Sequence, residues 1–469
     1  MPEIYPVNSY GPLMPGLVIG GVAIVHVFLA QFAVGGGLLM CYFQWLAMTG
    51  RNPHARRFVH GYFKALVLVS FVLGALTGVG IWFTTIQVSP QTIGSMVENF
   101  HWIWATEWTF FCLEIVAGYC FYRCHEQLTD RAAMTLLVLY AIAAWGSLFW
   151  INGILSWQLT PGGWVETHNV WQGMFNPSFW PSLLFRTVVA LVLASLAACV
   201  VINLMPGMSR SARRSLINHA AYLMTPMVIM PLLGVWYLMS MPPDSRSWAL
   251  GANVPMMLFL NVAIGASLAV GAYAIIGLVW QRLYINGATA TLLLLLAFGA
   301  TGGGEFVREG CRKPYSIRHV LYSNGIEPGQ VTRLREVGST TGDIYPLRDL
   351  EPLANDQLRL GARVFRRQCA ICHTLRGTNA LSDLTENWGP EQMRINIAKL
   401  QHTKPFMPPF AGTPRELEAL VQLLQWTNHE QPPSWPETGS GETLEQIQRW
   451  LDEAGAASAV AQRERRTAS

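Results

Sequence analysis

Residues 15–46 read PGLVIGGVAIVHVFLAQFAVGGGLLMCYFQWL and contain no Asp, Glu, Lys or Arg. A helix that crosses the hydrocarbon core of a bilayer needs about 20 predominantly apolar residues, so this stretch is long enough for one membrane span. Seven further apolar runs follow it, at residues 62–88, 103–122, 132–157, 180–205, 216–241, 255–280 and 288–307. The sequence therefore predicts a mainly α protein, a polytopic membrane bundle of eight transmembrane helices.

The chain changes character after the eighth run. Of its 32 Lys and Arg residues, 12 precede residue 301 and the other 20 follow it. Over the whole chain only 13% of residues are charged, whereas soluble proteins have roughly a quarter. The net charge of +4 is small and no basic block occurs, so nucleic acid is not predicted as a partner.

The cations of the membrane part lie in alternate loops, which predicts its orientation. Residues 89–102 and 158–179 contain no Lys or Arg, and residues 242–254 contain only Arg246. The loops after the first, third, fifth and seventh runs hold nine arginines: Arg51, Arg56, Arg57, Arg123, Arg131, Arg210, Arg213, Arg214 and Arg282. Because cationic loops stay in the cytoplasm, both termini are predicted outside. We expect a bacterial inner membrane protein whose tail lies in the periplasm.

Residues 368–373 of the tail read QCAICH, and Cys-x-x-Cys-His is the attachment motif of a c-type haem. The thiols of Cys369 and Cys372 would form thioethers with one covalent haem c, and His373 would bind its iron. A zinc site or a redox cysteine pair is the alternative. Zinc needs further Cys or His residues at ligand spacing, and no second pair follows.

A low-spin haem c also needs a sixth ligand, and Met407 in KPFMPPF is the candidate. Met–His ligation raises the haem potential, and the two prolines after Met407 would stiffen its loop. Met393 is the rival, and a core-filling role is the plain alternative for any Met. The pattern MPPF, GT, E and L that begins at Met407 resembles the C-terminal half of small class I cytochromes c.

Four segments follow from these observations. We expect a membrane domain at residues 1–310, a periplasmic linker at 311–350, an all-α cytochrome c domain at 351–432, and a C-terminal helix and tail at 433–469.

Ionisable groups inside a bilayer are costly, so each is a functional candidate. They are His26, Glu107, Glu114, Arg186, His219, Glu305 and Glu309. Haem–copper oxidases need about six metal-binding His with an adjacent pair, and the cytochrome b of quinol–cytochrome c reductases needs two spaced His pairs. The spans contain neither arrangement.

Four motifs in the membrane part do resemble subunit I of the cytochrome bd oxidases: HVFLAQFAVGGGLLM, ALTGVGIWF, EWTFFCLE and EFVREGCRKPY. The resemblance implies that His26, Glu107 and Glu309 ligate two high-spin haems, of b type or d type. It implies that Glu114 delivers protons or contacts a haem. It also implies a second, subunit II-like membrane partner and leaves room for further respiratory subunits. Pairing of Glu309 with Arg312 or Lys313 is the structural alternative.

Two departures from that family bear on electron entry. Arg186 and Asn261 stand near the places where the family has the His and Met ligands of a low-spin haem b, so this haem is expected to be missing unless other ligands hold it. Arg186 would instead bind a haem propionate. The outer loop after the sixth span, which binds quinol in the family, is reduced to MPPDSRSWALGAN.

The sequence thus predicts a terminal oxidase of bd type that takes electrons from a periplasmic carrier through haem c and reduces O2, without a quinol site. Nitric oxide reduction remains open, as does the identity of the donor. Two other functions remain open. The chain would then be a non-catalytic electron-transfer subunit of a larger respiratory complex, or a scaffold that holds only haem c.

Overall fold

The computed structural model describes residues 8–280, 284–343, 345, 347 and 353–468, without the side chains of 277–280 and 465–468. Arg282, one of the loop cations, lies outside these residues. Eight long helical segments occupy the predicted spans: α1 Pro15–Met48, α2 Ala55–Val88, α3 Pro90–Cys124, α4 Asp130–Trp157, α5 Phe179–Leu204, α6 Arg210–Ser240, α7 Val254–Trp280 and α8 Gly287–Arg312. The mainly α membrane fold predicted from the sequence is confirmed.

Seven of these segments, within the described ranges, are long and apolar enough to cross a membrane by length and composition, where the sequence predicts eight. The exception is α3. It carries Glu107 and Glu114 among several Trp and Thr residues, which lower its mean hydropathy. The helix is kinked at Phe100, whose φ and ψ of −126° and 22° are not helical, and the predicted span at 103–122 begins just beyond the kink.

The chain divides into two compact units. We call Val22–Ile81 with Met96–Cys311 the helical unit, and Met1–Gly21, Trp82–Ser95 and Arg312–Ser469 the C-terminal unit. Helices α1, α2 and α3 each contribute residues to both units, and α8 ends at the boundary between Cys311 and Arg312.

Helix α5 is central in the helical unit. It packs against α2, α4 and α6. In its most apolar stretch of 18 residues, 56% of the residues are buried, whereas the corresponding share in the other candidate spans is 11% to 44%. A run of three glycines on α1 allows close helix approach. A Cβ at Gly35 would lie 1.9 Å from the Ala190 oxygen of α5, and one at Gly37 would lie 2.9 Å from the Tyr140 ring of α4. Small residues at such crossings are typical of membrane bundles.

Helix α2 is not a regular α-helix throughout, because its residues Leu68–Gly74 form a π-helical segment. Short π segments of this kind are rare and occur mainly at functional sites. The segment directly precedes Thr77 and Gly78, which contact His26.

The C-terminal unit is α-helical apart from one small hairpin. Strands β1 Tyr315–Ile317 and β2 Leu321–Tyr322 pair antiparallel. The helices that follow are α9 Val331–Val337, α10 Asp356–Gln368, α11 Leu381–Thr385, α12 Pro390–Ala398, α13 Leu400–Thr403, α14 Pro414–Asn428, α15 Gly441–Ala454 and α16 Ala459–Ala468.

Helices α10 and α14 form the centre of this unit. They cross closely at Gly361, where a Cβ would lie 2.2 Å from the Ala419 oxygen. Leu358, Phe365 and Leu420 are among the buried residues of the surrounding apolar core. A capping box at Thr413 and Glu416 fixes the start of α14, as expected for a Thr followed three residues later by Glu.

Two segments are more ordered than the sequence suggests. In the segment predicted as a linker, Tyr315, Ile317 and Tyr322 are buried. The final segment contains α15 and α16 where the sequence predicts one helix and a loose end. Its Ser458 hydroxyl lies 2.8 Å from the Tyr315 hydroxyl, and Glu464 accepts a 2.8 Å hydrogen bond from Arg318.

The ion pair between Arg394 and Glu418 is expected to stabilise the C-terminal unit at neutral pH and to lose this contribution in acid. Arg394 donates to both carboxylate oxygens at 2.6 and 2.8 Å, and the Glu418 side chain is 1% exposed. Burial alone would raise the pKa of Glu418, but hydrogen bonds from Arg394, Thr438 and Gln422 lower it below the ordinary 4.5. We expect Arg394→Gln to cost about 3 kcal/mol at neutral pH, because it leaves a buried charge unpaired.

The control is Arg359→Gln, since Arg359 pairs with Asp356 on the surface and should change stability by less than about 0.5 kcal/mol. Thermal unfolding followed by the haem c absorption measures both. The stabilisation from a lowered pKa is present above 4.5 and is lost as the pH falls through the folded value. The difference between wild type and Arg394→Gln should therefore shrink in acid, and a constant difference would contradict the assignment to Glu418.

Candidate haem sites

The QCAICH motif begins at the last residue of α10, and His373 follows it in a defined orientation. The His373 Nδ1 lies 3.1 Å from the Asn379 carbonyl oxygen. A carbonyl only accepts hydrogen bonds, so Nδ1 carries the proton and Nε2 keeps its lone pair. The cysteine sulfurs are free thiols, and burial raises the pKa of Cys369 to about 12. Burial and the nearby Lys313 charge lower the pKa of His373, despite the Asn379 bond.

Gln368 connects the haem motif to the loop of Met407, a role that sequence reasoning missed. Its Nε2 donates to the Ala411 carbonyl at 3.2 Å, and its Oε1 accepts from the Ala411 N–H at 2.9 Å. This reciprocal pair joins the residue before Cys369 to a position four residues after Met407. An isolated Gln gives no sequence signal for such a bond, because its partner is backbone.

The two candidate methionines have different surroundings. Met393 is fully buried in the apolar core, and its sulfur lies 3.2 Å from the Gln425 Nε2. Met407 is half-buried, and its N–H donates to the Lys404 carbonyl at 2.8 Å. The core position of Met393 and the Gln368 bond to the other loop both favour Met407 as the sixth ligand, which stays a prediction.

His26 of the helical unit is oriented by α2. Its Nδ1 lies 3.0 Å from the Thr77 hydroxyl, and that hydroxyl donates its proton to the Leu73 carbonyl at 2.7 Å. The Thr77 oxygen therefore accepts from Nδ1–H, so His26 Nε2 remains an unprotonated donor atom. A Cβ at Gly78 would lie 3.1 Å from the imidazole Cε1, so Gly78 leaves room for the ring.

The two glutamates of α3 have separate hydroxyl neighbours. Ser147 of α4 donates a 2.5 Å hydrogen bond to a Glu107 carboxylate oxygen. Glu114 is 6% exposed, and the Tyr140 hydroxyl of α4 lies beside its carboxyl, outside ideal hydrogen-bond geometry. The Ser70 hydroxyl, in the π-helical segment, adjoins Tyr140. Both carboxyl groups therefore have a hydroxyl group as a polar neighbour inside an apolar bundle.

Arg186, predicted to hold a propionate, takes part in a three-residue ionic cluster. Its Nη2 donates to Glu305 Oε1 at 3.3 Å, and the Arg308 Nε donates to Glu305 Oε2 at 2.6 Å. The side chains of Arg186, Glu305 and Arg308 are 12%, 16% and 20% exposed. Two cations share one carboxylate, so the cluster keeps an excess positive charge with which Arg186 would attract an anionic group.

The remaining predicted residues lie at the C-terminal end of α8, in α7 and in the loop between α6 and α7. Glu309 is half-buried, one helical turn after Glu305. On α7, Asn261 is exposed and Met256 is buried, and the Met256 sulfur lies 2.7 Å from where a Cβ of Gly310 would be. Residues Pro243–Ser247 form a short helix followed by a π turn at Trp248–Ala252, so the contracted loop is folded.

His219 is bonded to the Tyr42 hydroxyl at 3.0 Å. Within the described residues, no group of three or more His, Cys, Asp and Glu side chains could hold a metal ion directly. The structure therefore does not gather His26, Glu107 and Glu309 into one metal site among the described residues, and their roles as separate ligands of haem iron stay predictions.

The donor atoms present fit iron porphyrins. In His26 and His373 the Nδ1–H donates a hydrogen bond within the chain, which leaves Nε2 as the unprotonated nitrogen. His373 also follows Cys369 and Cys372 at the spacing of the attachment motif. With the candidate membrane spans, these features define the class: an integral membrane protein that carries a c-type haem-attachment motif.

Comparison with known proteins gives the finer description. Residues 17–243 match the family of cytochrome bd terminal oxidase subunit I, and residues 356–424 match the family of cbb3-type cytochrome c oxidase subunit III. The membrane part is accordingly a cytochrome bd subunit I-like domain, followed by a cytochrome c domain. Glu309 lies beyond the first match.

A solved structure supports the fold. The bd oxidase from Geobacillus thermodenitrificans superposes with a TM-score of 0.57 at 15% identity, covering 66% of this chain and 89% of that chain. Among curated proteins, no match reaches significance.

The Thr77 contact predicts a loss of haem when its hydroxyl is removed. In Thr77→Val, His26 Nδ1 loses its hydroxyl acceptor and keeps only the weaker support of the Gly74 backbone. We expect about 10- to 100-fold weaker haem binding, as is typical when the partner of a metal-ligating His is changed. Haem content by pyridine haemochrome measures this. Thr291→Val is the control, because Thr291 makes the same bond to its own helix and faces no His. Equal haem content in the two variants would refute the role of Thr77.

Proposed function

We propose that this chain is a membrane haem oxidoreductase that passes electrons from a periplasmic carrier through haem c to two high-spin haems and reduces O2 to water. The observation that carries the proposal is the junction, in one chain, of a cytochrome c domain and a bd subunit I-like domain. Each has an imidazole whose Nε2 is left available. His26, Glu107 and Glu309 are the proposed ligands of the membrane haems, and b-type or d-type haem would suit them.

Periplasmic placement of the cytochrome c domain is supported by the cation pattern. The inner loops hold the arginines, including Arg56, which pairs with Asp130 at 2.6 Å, and the outer loops are almost without cations. An even number of spans returns the chain to the outer side, where covalent haem attachment takes place and soluble carriers are found. The donor is therefore proposed to be a periplasmic electron carrier.

Electron entry by quinol is not proposed. The contracted loop at 242–254 holds only a short helix and a turn, and its Ser245 hydroxyl is bonded to the Cys311 carbonyl at 2.7 Å. Arg186 is engaged by Glu305, and an arginine that stays cationic is a poor iron ligand. Both features support an electron path that begins at haem c.

Bound haem supplies an open iron position at which O2 is reduced, and the side chains supply positions and protons. His26 and Glu309 would fix iron through Nε2 and a carboxylate oxygen. Glu107 of α3, which accepts a hydrogen bond from Ser147, would bind iron through a carboxylate oxygen as well. Glu114 would carry a proton on its carboxyl oxygen and release it toward the reduction site, with the Tyr140 hydroxyl beside it to orient the carboxyl. Water formation consumes one proton for each electron, so a buried proton carrier is required.

Further subunits are proposed as well. Large apolar side chains remain exposed on several spans, for example Leu76 at 67% and Leu232 at 73%, and lipid or a second, subunit II-like membrane protein would cover them. Nitric oxide is a second possible acceptor at an open iron position.

The test of this function compares electron donors. Purified full-length protein should consume O2 with a reduced soluble c-type carrier, and should be inactive with quinol. His373→Ala should abolish haem c and this activity while the membrane haems remain, because their ligands lie on other elements. His402→Ala is the control, since the His402 side chain bonds only the Ala454 carbonyl among its described hydrogen bonds.

Quinol oxidation by wild type would overturn the proposed entry path. If reduced membrane haems fail to bind carbon monoxide, they are closed, and the chain is an electron-transfer subunit. If pyridine haemochrome shows haem c alone, the chain is a scaffold for that haem.

Substitution of the two glutamates of α3 should have different effects, on the haem spectra for Glu107 and on turnover for Glu114. Glu107→Gln replaces the proposed ligand carboxylate with a neutral amide and should change or remove a membrane haem spectrum. Glu114→Gln should leave the spectra intact and slow turnover by about 100-fold, within the range for loss of a positioned proton-transfer group. Absorption spectra and O2 uptake measure the two effects. Glu98→Gln, exposed on the same helix, is the control. Normal spectra and turnover in both variants would remove these residues from the mechanism.

A further inference from the structure

The loop that carries Met407 has few backbone hydrogen bonds of its own. Two prolines follow Met407, and proline has no N–H to donate. The Met407 N–H donates to the Lys404 carbonyl at 2.8 Å. Within the residues that the structure describes, the backbone of Phe410 and Ala411 is bonded only by side chains from other elements of the C-terminal unit. The conformation of the Met407 loop therefore depends on those side chains.

Arg335 of α9 is one of the two side chains that bond this loop. Its Nε donates to the Phe410 carbonyl at 3.0 Å, and its Nη1 donates to the Leu451 carbonyl of α15 at 2.8 Å. Leu451 belongs to the apolar core, so the guanidinium joins the Met407 loop to a fixed helix. Burial lowers the pKa of Arg335, and hydrogen bonds from a desolvated cation are stronger than those between neutral groups.

Gln368 is the other side chain, and its own position depends on Ser339, four residues after Arg335. The Gln368 Nε2 donates to the Ser339 hydroxyl at 3.0 Å and to the Ala411 carbonyl at 3.2 Å. The amide has two hydrogens, so each acceptor receives one. Ser339 is fully buried. The bond from Gln368 to the Met407 loop is therefore oriented by the Ser339 hydroxyl.

Ser339 is held in turn by Glu416, the buried residue that caps α14. The Ser339 N–H donates to Glu416 Oε2 at 2.8 Å. The Thr340 N–H and hydroxyl donate to Glu416 Oε1 at 2.9 and 2.7 Å. Three hydrogen bonds to one carboxylate fix the residues after α9 on the start of α14. We call residues 331–340 the clamp segment.

The clamp segment lies outside the part of the chain that matches a cytochrome c family. It precedes the matched residues 356–424 and falls within the segment that the sequence predicts as a linker. The contacts described above are nevertheless contacts within the C-terminal unit, which contains residues 312–469. A segment before the cytochrome c domain thus bonds the loop that carries the candidate iron ligand.

We propose that the clamp segment positions the sixth ligand of haem c, with Arg335 and Ser339 as its positioning residues. Arg335 acts directly on the Met407 loop, and Ser339 acts through Gln368. When the clamp is weakened, the Met407 sulfur leaves the iron more often, and a small external ligand can take its place. The proposal rests on the proposed function in one respect, because it takes Met407 as the sixth ligand of haem c.

Arg335→Met tests the clamp, because methionine has a long side chain without a hydrogen-bond donor. Carbon monoxide is mixed with the reduced full-length protein, and its binding is followed at the haem c absorption. The gas binds only after Met407 has left the iron. We therefore expect binding about 10- to 100-fold faster than in wild type, the range for loss of a hydrogen bond from a charged donor. The ferric protein should lose part of its methionine–iron charge-transfer absorption, and the haem c potential should fall.

Two further variants and a control keep the test decisive. Arg335→Lys retains the charge and a donor, so its binding rate should lie between those of wild type and Arg335→Met. Ser339→Ala removes only the acceptor of Gln368 and should speed binding by about 2- to 10-fold, the range for a neutral hydrogen bond. Arg333→Met is the control, since Arg333 is exposed on the same helix and should leave the rate unchanged.

Carbon monoxide binding at the wild-type rate in Arg335→Met would overturn the role of Arg335, and equal acceleration in Arg333→Met would show that the effect is not specific to it. If Arg335→Met does not accumulate as folded protein, Ser339→Ala decides, and a wild-type rate in that variant overturns the proposal. Hydrogen–deuterium exchange of a peptide that contains Phe410 and Ala411 should accelerate together with carbon monoxide binding. Faster exchange with unchanged binding would reduce the clamp to a structural role.

Met407→Ala separates this proposal from the assignment on which it rests. If Met407→Ala leaves the ferric spectrum and the carbon monoxide binding of haem c unchanged, Met407 is not the sixth ligand, and that assignment fails. If Met407→Ala binds carbon monoxide at once while Arg335→Met binds it at the wild-type rate, only the clamp fails. Oxygen uptake by wild type with a reduced carrier tests the proposed function independently of both results.

Discussion

An imidazole that is to bind iron through Nε2 keeps its proton on Nδ1 and donates it in a hydrogen bond, and this chain provides the acceptor in two unrelated ways. His373 uses a carbonyl six residues later, within its own loop. His26 uses the hydroxyl of Thr77 on a neighbouring helix, which accepts because its own proton is committed to the Leu73 carbonyl. The first arrangement is local and follows from the loop alone. The second exists only when α1 and α2 are packed, so it depends on the bundle.

The bundle can place polar groups together because its helices approach closely. Gly35 removes the side chain that would collide with α5, and Gly37 does the same toward Tyr140 of α4. Tyr140 is thereby held next to Glu114. An isolated polar group in hydrocarbon is costly, so a polar side chain needs a polar partner on a neighbouring helix. Close packing of the helices brings that partner within reach. The same reasoning applies to Arg186, whose charge is tolerated between helices because Glu305 lies opposite it.

Much of this architecture can be predicted from the sequence, because apolar runs and the Cys-x-x-Cys-His motif are local signals. The eight helical segments and the haem c domain belong to this class. Contacts whose partner is backbone are not predictable in this way, and the bonds of Gln368 to Ala411 and of Gly16 to Ile371 are of this kind. The pairing of Arg186 with Glu305 was missed for a different reason, since the two residues lie 119 positions apart and no periodicity relates them.

The folding of residues 315–322 was missed because the wider segment 310–350 is rich in Gly, Pro and Arg, which favours a linker. Burial there depends on two tyrosines, whose rings stack with centroids 5.0 Å apart, and on the Ser458 hydroxyl from the end of the chain. Such an arrangement needs residues from both ends of the C-terminal unit, and a short window of sequence contains only one end.

Helix α1 combines these constraints in one element. Its first turn leaves N–H groups that need acceptors, and the haem-attachment loop provides one of them from its backbone. Its middle presents His26, and its glycines then allow the other helices to approach.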